Sequence, residues 1–167
     1  MKNRIATVVA SLACAFSFPI SSRLSEVQAQ TTPPKISTTL SLPSHRVQRG
    51  RTVHASLVLD VPSGYHVNAH DPLSRFALPT KLSIEASRGI KIGHIFYPKA
   101  IARRFSFSGD RLGVYENRVA ITFTFSVLPN QSPGNMEIKA SFTYQSCSDE
   151  VCFPPVTREL AVAFTVT

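Results

Sequence analysis

Cys147 and Cys152 are separated by Ser148-Asp149-Glu150-Val151 within the stretch Thr143-Tyr-Gln-Ser-Cys-Ser-Asp-Glu-Val-Cys-Phe-Pro-Pro155. Two thiols at that spacing can close a structural disulfide, open and close a redox-active one, or bind a metal as thiolates. An alternating run, Ile138 to Gln145, leads in, and Pro154-Pro155 leads out. This pattern predicts a strand ending at Cys147, a tight reversal through Ser148-Asp149-Glu150, and a new extended segment from Cys152. Across such a reversal the Cα atoms are expected about 5–6 Å apart, so a disulfide can form or break without moving the fold.

A ring this small contributes roughly 2 kcal/mol as a staple, which a chain of this length has little need of. Small hairpin disulfides near a surface are also the labile ones. On chemistry alone, staple and switch stand level. Asp149 and Glu150 lie inside the ring. Negative charge beside a thiolate raises its pKa, which would make the pair reducing rather than oxidising; the alternative is that both are solvated turn residues.

Zinc sites usually add a second ligand pair of similar spacing to a C-x₂₋₄-C pair. His66 and His70 are four apart, but in a loop-like stretch with Asn68 and Pro72, and His45, His54 and His94 are scattered, the last two at strand-like positions. No metal site and no cofactor is expected. Serine nucleophile motifs are missing, so hydrolysis is not expected either.

The elements that must hold the cysteines read as short strands. Period-two alternation recurs over 37–42, 52–61, 81–85, 90–96, 118–128, 136–145 and 157–166, with no helical run of ten or more residues. Pro62-Ser63-Gly64, Asp71-Pro72, Arg88-Gly89, Ser108-Gly109-Asp110 and the segment 129–134 supply the turns. Such a pattern predicts an all-β, immunoglobulin-like antiparallel β-sandwich. Trp is absent and the cysteines are too close to bridge two sheets, so an antibody-type disulfide core is excluded.

Alternation lapses over 65–79 and 97–115, where long connections are expected, and long loops in compact domains are more often functional than idle. The second holds Phe105 and Phe107, which share one side of an extended segment. They are read as core residues by default, with a loop covering a site as the alternative.

Lys2 and Arg4, an apolar run from Ile5 to about Ile20, and Val27-Gln28-Ala29 follow the layout of a secretory signal peptide, so residues 1–29 are expected to be cleaved after Ala29. Residues 30–35 read as a flexible lead-in. Ser11-Leu12-Ala13-Cys14 only loosely resembles a lipobox, and lipidation is not expected. No other stretch reads as a membrane span, and export leaves Cys147 and Cys152 where disulfides persist. Loss of the leader's Lys2, Arg4, Arg23 and Glu26 would lower the net charge from +8 to +6. The surplus is densest from Arg88 to Arg118, but no nucleic-acid-binding signature accompanies it, so protein steering or solubility is the preferred reading.

The cysteine stretch resembles the Y-Q-x-C…C-x-P-P signature of the N-terminal periplasmic domain of the thiol:disulfide interchange protein DsbD. Gly64-Tyr-His-Val-Asn68, Leu78-Pro-Thr-Lys-Leu82, Tyr97-Pro-Lys99, Phe105-Ser-Phe-Ser-Gly109 and Val114-Tyr-Glu116 resemble further blocks of that family, in order, over residues 36–166. The resemblance implies an immunoglobulin-like sandwich at 36–167 whose cysteines shuttle reducing equivalents. It implies that Cys152 forms mixed disulfides with partners and Cys147 resolves them, and that a cap loop shields the pair through Phe107, with Phe105 in reserve. It further implies a thioredoxin-like or membrane-embedded electron donor, and a periplasmic disulfide isomerase or cytochrome c maturation thioredoxin as acceptor. The chain ends at Thr167 without such donor domains, so the expectation is a monomer fed by separate proteins. A non-catalytic binding module with a structural hairpin disulfide is the alternative.

Overall fold

The computed structural model describes residues 32–85 and 87–167. The leader, its cleavage after Ala29 and the question of lipidation at Cys14 lie outside the described residues. Of the lead-in, residues 32–35 are described and form no regular structure.

Twelve strands follow in order: β1 (Ser37–Ser41), β2 (Arg46–Val47), β3 (Thr52–Asp60), β4 (His66–Asn68), β5 (Lys81–Glu85), β6 (Ile90–Phe96), β7 (Ile101–Arg104), β8 (Arg111–Tyr115), β9 (Arg118–Val127), β10 (Gly134–Tyr144), β11 (Ser146–Cys147) and β12 (Val156–Val166). No helix occurs among the described residues, so none there is long and apolar enough to cross a membrane.

The strands form three sheets, ordered β1-β3-β9-β6, β2-β12-β10-β5 and β11-β4-β8-β7. The first two supply the sandwich. Their inward residues alternate with solvent-facing ones: Leu57, Leu59, Ile121, Phe123 and Phe125 from one sheet meet Ile138, Ala140, Phe142, Val162 and Phe164 from the other in one buried cluster. This is the all-β, immunoglobulin-like sandwich that the period-two runs predict. Pairing is antiparallel apart from the short parallel match of Thr165 and Val166 with Arg46 and Val47.

The third sheet departs from the sequence reading. The stretches 65–79 and 97–115, expected as long connections, contain β4 in the first and β7 and β8 in the second. His66, expected in a loop, is on β4. The run through Gln145 does not continue as one strand to Cys147. β10 ends at Tyr144, and after Gln145 the chain pairs with β4 instead of β5 and β12.

Two glycines fix the approach to this sheet. Gly64 has φ +80°, in the left-handed region, and closes the turn in which the Tyr65 amide donates to Pro62 O at 3.2 Å. Gly113 is needed for space: a Cβ there would run into the Asp71 carbonyl. The bare backbone lets β8 dock against the segment after β4, with Gly113 N–H donating to Pro72 O at 2.8 Å and Ala69 N–H to Gly113 O at 2.9 Å.

Phe123 is fully buried at the middle of β9, which pairs with both β3 and β6. Phe123→Ala should cost about 3–5 kcal/mol, read as a lowered urea midpoint with little change in m-value.

Candidate functional site

Cys147 and Cys152 form a disulfide in which the Cα atoms are 4.0 Å apart, closer than the sequence reading expects. The reason is pairing geometry. Ser148 N–H donates to Val151 O at 2.8 Å on one side of the pair and Phe153 N–H to Ser146 O at 2.9 Å on the other. Cys147 and Cys152 therefore occupy a non-hydrogen-bonded antiparallel position, where opposed residues approach closest. The reversal itself is held without sulfur, because Ser148 Oγ also accepts the Glu150 and Val151 amides at 3.2 Å each.

The two sulfur-bearing residues differ sharply in access. Cys147 is fully buried, whereas Cys152 is partly exposed. Cys152 opens on a cavity of about 440 Å³ lined by Asn68, Phe76, Phe107, Leu112 and Gln145 among others. Asp149 and Glu150 are both exposed at the tip of the reversal.

Gln145, the residue between β10 and β11, clips this end of the molecule together. Its Nε2 donates to Phe153 O at 3.0 Å, its Oε1 accepts from Asn68 Nδ2 at 3.1 Å, and its backbone O accepts Asn68 N–H at 3.1 Å. Phe153 is buried near Tyr65, with ring centroids 6.3 Å apart. Thr80 Oγ1 ties the far side of β4 by donating to Asn68 O at 2.5 Å.

The register places Cys147 opposite His66 on β4 and opposite Cys152 across the reversal. Directly opposed residues point to the same face of a sheet. His66, Cys147 and Cys152 thus form a row across three adjacent extended segments. His66 is buried and its ring stacks on Phe105 at 4.1 Å, while Phe105 stacks on Phe107 at 5.4 Å. Neither phenylalanine is a core residue: Phe105 is half-buried and Phe107 is 39% exposed. The default reading of both as core is thereby corrected. The loop that carries them joins β7 to β8, and Ser106 Oγ donates to Asp149 O at 3.2 Å, which fastens it to the cysteine ring.

A second cavity, of about 550 Å³, is lined by Tyr65, His66, Arg103, Phe105, Glu116 and Asp149 among others. Arg103 makes a two-point ion pair with Glu116 at 2.7 and 3.0 Å, and Arg118 pairs with Asp60 at 3.0 Å. The basic stretch is therefore partly neutralised. Among the described residues no group of three or more His, Cys, Asp or Glu side chains is arranged to hold a metal. His70 instead stacks on Tyr97 at 3.7 Å, its Nδ1 lying 3.0 Å from Thr80 O.

In the sequence His66 reads as a candidate metal ligand with His70 and as part of a family block, and its place beside Cys147 is not legible there. The signal was the block Gly64-Tyr-His-Val-Asn68, but pairing of a three-residue strand with a cysteine some eighty positions later is invisible to periodicity. Among the described residues His66 Nε2 and Asn68 Oδ1 are the buried side-chain polar atoms without a partner. Burial pushes the His66 pKa down; Glu116 and Asp149 pull it up more weakly, and Arg103 adds to the depression.

A family model described as thiol:disulfide interchange protein DsbD, N-terminal, matches residues 38–163. Comparison with curated proteins returned no match. Among solved structures, the N-terminal periplasmic domain of ScsB from Proteus mirabilis superposes with a TM-score of 0.52 at 11% identity, over 77% of this chain and 45% of that one. At that identity the likeness is one of fold, and this chain spans less than half the length of that structure. A family 123 glycoside hydrolase from Clostridium perfringens (TM-score 0.35, 13% identity, 78% of this chain and 27% of that one) and the fimbrial subunit AggA from Escherichia coli (0.36, 12%, 81% and 98%) are too distant to bear on the site.

A histidine whose folded-state pKa lies below its unfolded value of about 6.5 leaves stability untouched above that pH and subtracts from it below, because the unfolded chain takes the proton first. His66→Gln should remove this share of the acid-side loss. Urea midpoints of oxidised wild type and variant at pH 7 and pH 5 should show a smaller drop in the variant; equal drops would count against a buried neutral imidazole.

Proposed function

The chain belongs to the family of DsbD N-terminal domains, a thiol:disulfide interchange domain, and from that premise we propose that it passes reducing equivalents through Cys147 and Cys152 to disulfides of partner proteins in the periplasm. The observation that carries the reading is the unequal access of the two sulfurs, Cys147 enclosed and Cys152 open to a cavity.

In the reduced domain the Cys152 thiolate attacks one sulfur of a partner disulfide, forming a mixed disulfide and releasing the partner's other sulfur as thiolate. Cys147 then attacks Cys152 Sγ, closing the intramolecular ring and releasing the partner's second thiolate. Two electrons leave the domain and two thiols appear on the partner. The hydrogen bonds of Ser148 keep Cys147 and Cys152 opposed when the S–S bond is open, so ring closure needs no search.

Phe107 serves as the cap over Cys152, and Phe105 is the strut that holds it, stacked between Phe107 and His66. Asp149 and Glu150 oppose thiolate formation by charge, to a degree limited by their exposure. The electron donor is a thioredoxin-like or membrane-embedded protein, and the acceptor a periplasmic disulfide isomerase or a cytochrome c maturation thioredoxin. The domain works as a monomer, exported behind residues 1–29.

The Cys147→Ser variant should trap a partner as a covalent adduct through Cys152, visible as a reducible band on a non-reducing gel of periplasmic extract. Cys152→Ser should trap little. If neither traps and only the melting temperature changes, the domain is a binding module with a structural disulfide.

Phe107→Ala should speed reduction of the disulfide by dithiothreitol severalfold at unchanged stability, measured under pseudo-first-order conditions. An unchanged rate with a lowered unfolding midpoint would make Phe107 a packing residue instead.

A further inference from the structure

Cys147 is the buried member of the pair, and it must act as a nucleophile in the second step of the exchange proposed above. A thiol enclosed by protein resists ionisation, since burial penalises the thiolate. Ring closure therefore needs a proton acceptor within the fold. The ring's own carboxylates, Asp149 and Glu150, are at its solvent-exposed tip, and Glu116 is engaged by Arg103. His66 is different: it is directly opposed to Cys147 in the β4–β11 register, on the same face, with side chains whose Cβ atoms stand about 5 Å apart at such positions.

Three further features suit it to proton transfer. Its Nε2 is buried with no hydrogen-bond partner. Phe105 covers the ring face and fixes its plane. The residue also borders the 550 Å³ cavity with Tyr65, Arg103, Glu116 and Asp149, which offers a path to solvent for a proton picked up inside.

We propose that His66 accepts the Cys147 thiol proton as Cys147 closes the ring. This rests on the exchange reading. With Cys152 joined to the partner, the Cys147 S–H proton moves to the imidazole Nε2 while Cys147 Sγ attacks Cys152 Sγ. The Cys147–Cys152 bond forms as the Cys152–partner bond breaks, and the bonding pair leaves on the partner sulfur. The imidazolium returns its proton to the departing thiolate or to solvent, so charge and protons balance over the cycle. Desolvation keeps the imidazole neutral, hence able to accept, at neutral pH; the groups facing it are Glu116 beside β8, Asp149 in the ring and Arg103 on β7.

The test uses oxidised glutathione as the disulfide, so it does not depend on the natural partner. Reduced wild type and His66→Gln are mixed with it and acid-quenched, and the glutathionylated intermediate is followed by mass. In wild type the intermediate should not accumulate between pH 7 and 8. In the variant it should build up, with ring closure slowed about 100-fold at pH 7 and recovering as pH rises toward thiol ionisation. Equal closure rates and equal pH profiles would overturn the assignment while leaving the exchange reading intact, whereas failure of the reduced wild type to be oxidised to the Cys147–Cys152 disulfide, with no adduct in the variant either, would strike the exchange reading itself. A second measurement needs no substitution. A Cys147 S–H donating to Nε2 stabilises the neutral ring, so the His66 protonation midpoint, read from imidazole ¹⁵N shifts, should be lower in the reduced protein than in the oxidised one. An unchanged or raised midpoint overturns the proposal, whether or not the variant folds.

Discussion

Everything at the cysteine-bearing end depends on the chain changing sheets at Gln145. Up to Tyr144 it belongs to the sandwich, paired with β5 and β12, and from Ser146 it belongs to the smaller sheet, paired with β4. A residue between two sheets loses its regular ladder partners, yet its polar groups must still be satisfied. Gln145 meets this with backbone and side chain together, accepting from Asn68 twice and donating to Phe153. The same bonds lock β4, β11 and the segment after Cys152 into one unit. The cysteines therefore stand on a platform whose position is set by the sandwich core and not by the disulfide.

That independence is what the proposed switch requires and a staple would not. A ring of this size contributes only roughly 2 kcal/mol through chain entropy. The Ser148 turn, the Phe153–Ser146 bond and the buried Phe153 side chain make no use of sulfur. The proposed exchange therefore does not require these contacts to break. The loop carrying Phe105 and Phe107 is fastened to that end by Ser106 and by aromatic stacking.

The sandwich was legible because its long strands have one wet face and one dry one. β9 alternates exposed or half-buried residues with Ile121, Phe123, Phe125 and Val127, and β10 does the same with Ile138, Ala140, Phe142 and Tyr144. The smaller sheet was not legible. His66, Val67 and Asn68 are all buried, and Leu112 to Tyr115 form an unbroken buried run, so period two vanishes where both faces are covered. Strands of two to four residues also fall below the length at which alternation can be read. Residue types and spacing in the cysteine stretch left staple and switch level, the resemblance of its flanks and of the upstream blocks favoured exchange, and nothing local disclosed which sulfur would be enclosed. That depends on the pairing of β11 with β4, a contact across some eighty residues.

Among the described residues, the buried side-chain polar atoms without a partner both lie on β4. An unpartnered buried polar atom costs about 1–3 kcal/mol, and two of them, His66 Nε2 and Asn68 Oδ1, sit on this three-residue strand. Apolar side chains would remove that cost, as Val67 between them does while facing the core cluster. His66 and Asn68 alternate with Val67 and so share the opposite face, the face of Cys147. The cost is thus confined to the surface that meets Cys147, and it is borne by groups able to exchange a proton or accept a hydrogen bond. A fold that needed only a pinned hairpin would gain nothing from that arrangement, whereas under the proposed exchange an enclosed Cys147 needs polar neighbours to ionise against.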